Sequence, residues 1–326
     1  MTTALLYDER FLDHDTGAGH PERSARLTSA ITHLEQQPWY DQLLKLSPTP
    51  ADDNWIRTVH GSSYIERAAQ ACAAGQPFLD SPDVRICNNS AAIARLAVGG
   101  ALELADQLMA GHIDNGFALM RPPGHHAETS TALGFCLFNN VAVLARYLQQ
   151  HHGLSKVLIV DWDVHHGNGT QHTFEQDPSV LYISTHQYPY YPGTGAYFES
   201  GEGRGVGTTL NCPMAAGATD QDYERAFREQ IMPKIDEFKP EVVLISAGFD
   251  AHRSDPLAQV NLSTEMYEWM TLRLLEAADA HAGGRVISLL EGGYDLQALA
   301  KCTALHVQTL LTSGQPDSRS SDSSDS

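Results

Sequence analysis

The segment VLIVDWDVHHGNG, residues 157 to 169, sets two aspartates and two histidines directly behind an unbroken apolar run. If the run continues as a β-strand, alternation puts Asp161, Asp163 and His165 on one side and Trp162 and Val164 on the other. An ionised carboxylate is costly to bury without a counter-charge, so two of them on one face of a buried strand call for a cation. A helix cap followed by a glycine turn would use one aspartate and the glycines, and would leave the other ligand-type side chains unexplained. A second apolar run, EVVLISAGFD, ends in Asp250 and supplies a third carboxylate from another strand end. Two carboxylates and an imidazole beside an open position suit a catalytic divalent ion that keeps a water. Zinc is favoured, and oxygen-rich ligation also admits Fe(II) or Mn(II). His166 falls on the opposite face and is read as a structural histidine.

Acid–base groups stand elsewhere in the chain. RPPGHHAE holds His125 and His126 behind a Pro-Pro-Gly turn that fixes the backbone, so both rings can reach one reacting centre. His151 and His152, in LQQHHG, instead end a helical pattern and are read as its solvated C-terminus. LEGGYD closes another apolar run with two glycines and Tyr294, whose phenol can donate to a developing oxyanion, although an ordinary turn tyrosine would look the same.

These groups need a scaffold that gathers distant segments. Apolar runs ending in polar clusters recur at 117–126, 157–167, 180–188, 241–252 and 285–295, each with the β-branched content of a buried parallel strand. Helical patterns lie between them at 89–110, 138–150, 220–235 and 263–281, the last with Ser263 as N-cap. The alternation predicts an α/β fold: a single domain with a central, mostly parallel sheet flanked by helices. In such sheets ligands sit at the carboxyl ends of the strands, where all five clusters fall. The first eighty or so residues are read as loops and helices around the sheet. The catalytic domain is expected to span 1–312, followed by a disordered Ser/Asp-rich tail at 313–326.

With 326 residues, 42% of them hydrophobic, the chain can bury a sizeable core. It has no run long and apolar enough to cross a bilayer and no signal-like N-terminus, so a cytoplasmic protein without a membrane partner is expected. A net charge of −19 opposes nucleic acid and favours cationic substrates. Five scattered cysteines without a C-x-x-C pair are read as free thiols.

RPPGHHA, GFCLFNN, VDWDVHHGNGTQ, SAGFDAH and LEGGYD, in this order, resemble the arginase-related zinc deacetylases, that is, the histone deacetylases and acetylpolyamine amidohydrolases, over roughly residues 14 to 310. The resemblance implies a sheet of about eight strands and a metal-dependent amidohydrolase that removes an acetyl or other short acyl group from an amine. It makes Asp163, His165 and Asp250 the ligands of zinc, with Fe2+ as the alternative ion. His126 becomes general base and then acid, with His125 as its electrostatic partner, and Tyr294 polarises the scissile carbonyl. Asp161 holds His125 and joins Asp163, His165, Ser184 and Thr185 around a structural potassium ion. Asn168 replaces the aspartate that some members place behind the second histidine, as in the class II-like branch, and deprives His126 of a carboxylate partner. Gly134, Phe135 and Tyr191 wall the acyl-lysine channel, Tyr191 replacing the commoner Phe.

Acetyl-lysine is the favoured substrate. Polyamine-selective members tend to carry an acidic gatekeeper in a D-P-E arrangement after the third ligand, whereas here D-A-H-R-S-D-P-L puts Leu257 in that place. An acetylpolyamine or other small amide is the alternative substrate, with Asp80 or Asp83 at the rim to hold a distal amine or the substrate backbone. A non-catalytic acyl-lysine binder would have lost a ligand, and none is lost. An arginase-like two-metal site would need carboxylates where Asn168 and His252 stand. A homo-oligomer is compatible with this reading, a neighbouring chain then narrowing the channel mouth.

Overall fold

Apolar runs without polar alternation need cover on both faces, and the helices of this protein provide it. In the computed structural model, which describes residues 1–312, β3 (Asn115–Ala118), β4 (Val157–Asp161), β5 (Val180–Gln187), β7 (Val242–Ala247) and β8 (Val286–Leu290) are buried along their whole length. Three further strands, β1 (Thr3–Leu6), β2 (Leu44–Leu46) and β6 (Thr209–Met214), complete an eight-stranded sheet in the order β2-β1-β3-β8-β7-β4-β5-β6. Every neighbouring pair is parallel, so all carboxyl ends lie along one edge of the sheet. The four strands β3, β8, β7 and β4, which lead into HH, GGY, GFD and DWD, are consecutive in that order. The chemistry therefore meets at the sheet's centre.

The helices follow the expected spacing closely. They are α1 (Ala25–Glu35), α2 (Asp53–Ile56), α3 (Ser62–Ala73), α4 (Ser90–Met109), α5 (Asn140–Gln150), α6 (Asn168–Phe174), α7 (Asp220–Ala226), α8 (Met232–Phe238), α9 (Thr264–His281) and α10 (Leu296–Thr312). Ser263 caps α9 as predicted, its hydroxyl accepting from the Met266 amide at 3.2 Å. The pattern at 220–235 is one helical rod, α7 running into α8 through the wider turn Phe227–Ile231.

Three expectations are corrected. The N-terminal region contributes two strands, β1 and β2, rather than loops and helices alone. The run 117–126 is strand only as far as Ala118, and Leu119–His126 is irregular. β4 likewise ends at Asp161, so Asp163 and His165 stand on the turn beyond it and strand alternation is not what aligns them. The tail at 313–326 lies outside the described residues. No helix among the described residues is long and apolar enough to cross a membrane.

Candidate active site

Asp163, His165 and Asp250 are buried, and their ligand-type atoms lie within 4.8 Å of one another. Backbone amides hold them. Asp250 Oδ1 accepts from the Val164 amide at 2.8 Å, and Asp163 Oδ2 accepts from the Gly292 amide at 2.7 Å, which ties β4, β7 and β8 together at the site. The His165 ring nitrogen Nδ1 is 3.1 Å from Asp163 and 3.2 Å from Asp250. Burial and the neighbouring Asp163 carboxylate push Asp250 up to about 7. Two carboxylates with one imidazole brought this close fit a divalent transition metal.

The two histidine rings lie tilted against each other beside this trio, centroids 4.0 Å apart and planes at 46°. His125 Nδ1 is 3.0 Å from Asp161 Oδ2, which also accepts from the Tyr182 hydroxyl at 3.1 Å. Burial opposes charging of His125, but Asp161, Asp163 and Glu291 overcome it and raise its pKa to about 10. His126 differs: burial, His125 and His165 hold it well below its ordinary value, so it is neutral at neutral pH. Its Nδ1 lies 2.7 Å from Asn168 Oδ1 and donates to that oxygen, because an amide oxygen can only accept. The other nitrogen of His126 keeps its lone pair.

A pocket of about 270 Å³ opens onto these groups, lined by Asp83, His126, Gly134, Phe135, His165, Tyr190, Tyr191, Leu257 and Tyr294. Tyr294 forms part of its wall, edge-on to Phe135 with centroids 5.8 Å apart. Burial pushes the Tyr294 phenol well above its ordinary value, so it stays protonated and able to donate. Asp255 fixes its backbone by accepting from the Tyr294 amide at 2.7 Å and the Asp295 amide at 3.2 Å. The Arg26 guanidinium sits 5.0 Å from the ring centroid and donates to the carbonyls of Gly293 and Glu291.

The structure brings together His125, His126, Tyr294, Asp161, Asp163, His165, Asp250, Asn168, Gly134, Phe135, Tyr191 and Leu257. Ser184 and Thr185 are buried within β5, and register places Ser184 beside Asp161. Of the two rim candidates, Asp83 lines the pocket, while Asp80 is bound by Arg67 at 2.9 Å and by the Ala132 amide. His166 is enclosed between Thr194 at 2.7 Å and Gln171 at 2.9 Å, a structural role. His151 and His152 end α5 as read, with His152 turned onto Asp106 at 2.8 Å. His252 contacts Thr264 and offers no second metal site.

Sequence reasoning missed the supporting residues. Glu291 accepts from the Gly124 amide at 2.7 Å and the His125 amide at 3.2 Å, fixing the histidine loop. Glu22 joins Arg121 and Arg26 in a fully buried ion cluster beneath it. The available signals were the unread Glu of LEGGYD and the i, i+4 pair in PERSAR. Asp255 gave no signal beyond a D-P turn.

Residues 20–310 match the family model described as the histone deacetylase domain. The chain is 40% identical over 311 residues to the uncharacterized protein slr0245 of Synechocystis, covering 94% of this chain and 99% of that one. It is also 40% identical over 331 residues to the human polyamine deacetylase HDAC10, covering 97% of this chain but 49% of that protein. The crystal structure of the HDA15 HD domain superposes with a TM-score of 0.90 at 39% identity, covering 98% of this chain and 90% of that one. On these matches, and on the metal-type trio at the centre of the parallel sheet, the chain belongs to the histone deacetylase family.

Proposed function

We propose that this protein is a zinc-dependent deacylase that hydrolyses the acetyl amide of lysine side chains. The observation that carries the reading is the convergence, in one pocket, of a buried Asp-His-Asp trio, an uncharged histidine with a free ring nitrogen, and a protonated phenol. Asp163, His165 and Asp250 would hold the metal. When bound, such an ion acts as a Lewis acid and lowers the pKa of a water beside it.

The chain's own groups supply the rest. The apolar walls of Phe135 and Tyr191 exclude water from a methylene chain and orient the amide. Tyr294 donates to the amide oxygen as negative charge develops there. The free nitrogen of His126 takes a proton from the attacking water and returns it to the leaving nitrogen, so acetate and a free amine are formed. His125, charged through Asp161, stabilises the developing anion without losing its own proton at neutral pH.

The structural potassium ion belongs to this proposal, and the register that sets Ser184 of β5 beside Asp161 of β4 is what supports it. Fe2+ suits the same trio as zinc. A cytoplasmic setting, with neither nucleic acid nor membrane as partner, accords with the net charge of −19.

A second reading, hydrolysis of acetylpolyamines, draws on the Asp83 carboxylate in the pocket wall and on the likeness to a polyamine deacetylase. Leu257, apolar and also in that wall, favours lysine. Steady-state kinetics of the zinc-loaded protein on an acetyl-lysine peptide and on acetylputrescine decide between them. A higher kcat/KM on the peptide, abolished by Asp163→Ala, is expected. A higher value on acetylputrescine would establish the second reading, and an Asp163→Ala variant as active as the parent would refute both.

A further inference from the structure

Behind Asn168 lies a further carboxylate, that of Glu128. The Asn168 amide nitrogen donates to Oε1 of Glu128 and, at 3.3 Å, to the carbonyl of His126. Glu128 Oε1 also meets His172 Nδ1 at 2.8 Å, and Asn168 and His172 are one turn apart on α6, so the helix presents both to one carboxylate. The backbone of Glu128 is pinned on both sides: its amide donates to Thr131 at 2.9 Å and its carbonyl lies 2.9 Å from His60 Nδ1. Its side chain is 26% exposed.

We propose that Glu128 is a positioning residue for the catalytic histidine, acting through Asn168. This rests on the reading of His126 as the proton carrier. A carboxylate only accepts, so it requires the Asn168 NH2 on its own side. That orientation turns Oδ1 toward His126, places the ring proton on Nδ1 and leaves the opposite nitrogen free for the pocket. Negative charge reaches the histidine one residue removed, with the neutral amide as the link. An aspartate in place of Asn168 would face Glu128 with acceptors only, and two carboxylates at hydrogen-bond distance cannot both stay ionised. Asn168 and Glu128 are therefore a matched pair, and making Glu128→Gln and Asn168→Asp together gives the equivalent pair with the charge exchanged.

The test is a double-mutant cycle on the zinc-loaded full chain with an acetyl-lysine peptide: parent, Glu128→Gln, Asn168→Asp and the double variant, followed by both kinetics and thermal unfolding. Asn168→Asp alone is expected to lower kcat by about 10- to 100-fold, the range for partners that orient a working ligand, with KM within about twofold, and to lower Tm by several degrees. Adding Glu128→Gln is expected to restore kcat to within about threefold of the parent and to recover most of Tm. Effects on Tm that add independently, with no recovery in the double variant, would overturn the pairing whether or not any amide is turned over. Recovery of Tm without recovery of kcat would overturn the positioning role, leaving a purely structural contact. A parent that hydrolyses no acetyl-lysine or acetylpolyamine substrate would count against the proposed function, and the Tm cycle would still decide the pairing.

Discussion

Gly292→Ala should disable the proposed metal site without replacing any of its three residues. Gly292 follows Glu291 at the end of β8, and its backbone needs no left-handed conformation, so alanine brings no dihedral strain there. The added methyl carbon would lie 2.1 Å from Asp250 Oδ2 and 2.5 Å from Asp163 Oδ2, against an ordinary contact that begins at 3.4 Å. The Asp250 oxygen would have to retreat by the difference between 3.4 and 2.1 Å, and it is not free to do so. Its carboxylate is held by the Val164 amide at 2.8 Å, and Asp163 is held by the Gly292 amide at 2.7 Å. Metal sites tolerate displacements of only about 0.2 Å from ideal ligand distances, so a shift several times larger should reduce zinc affinity by at least ~10- to 100-fold. Overpacking adds about 1–3 kcal/mol of destabilisation. The assay is zinc per chain after equilibration with a chelator, alongside kcat on an acetyl-lysine peptide. Gly61→Ala is the control, because its added carbon meets nothing closer than 3.4 Å and its φ of −66° suits alanine. A Gly292→Ala protein that holds zinc as tightly as the parent would refute the packing argument.

On the proposed mechanism Tyr294→Phe should lower kcat by about 10²- to 10³-fold while zinc content is unchanged, since the phenol would donate to the developing oxyanion and is not one of the trio; equal turnover would remove the oxyanion role. Tyr191→Phe breaks a 3.4 Å contact with Asp83 at the exposed rim, and a bond that long contributes little, so kcat/KM should change by less than about threefold; a tenfold change would give the rim phenol a direct role in binding. Glu22 predicts a pH profile. Burial alone would raise its carboxyl, but Arg121 and Arg26 overcome this and lower it to about 2 from an ordinary 4.5. A depressed carboxylate pKa contributes stability that is present above the unfolded value, here about 3 kcal/mol, and lost as pH falls from about 4.5 toward 2. Glu22→Gln should therefore cost about 3–5 kcal/mol at pH 7, because it leaves two buried guanidinium groups without their carboxylate, and should flatten the acid limb of the denaturation curve. An unchanged acid limb would show that another group carries it.

How much was legible depended on whether the signal was local. Long buried runs such as VLIVD and VVLISA declare central strands, because nothing but a parallel sheet covered on both faces accommodates them. Of the missed strands, β2 and β6 are the two edges of the sheet, and β1 is a buried strand of only four residues next to β2. β2 is three residues, mostly exposed, at one edge, and β6 carries Pro213 at the other, where a missing N–H costs no ladder bond. Asp163 and His165 do converge with Asp250, but not by strand alternation: they extend from the turn after β4, and what aligns the trio is the backbone amides around it. The supporting groups were invisible because their partners are remote. Glu22 and Arg121 are 99 residues apart in the chain, and Asp255 and Tyr294 are separated by 39.

The charge balance beneath the pocket explains why these remote partners are needed. Asp161, Asp163, Asp250 and Glu291 are all fully buried around the same few strand ends, an arrangement that repulsion and desolvation oppose together. Of the buried cations, Arg121 and Arg26 are both committed to the Glu22 carboxylate, and Arg26 reaches Glu291 and Gly293 only through their carbonyls. That leaves His125 and His165 as the charges facing the four acids. Burial first, with repulsion from neighbouring carboxylates adding to it, pushes Glu291 and Asp250 each up to about 7. A divalent cation at the trio would add positive charge at the point where two carboxylates already converge. The arginine–glutamate layer has another role: it is a hydrogen-bonded floor that fixes the backbone under Tyr294 without competing with the metal for the acids.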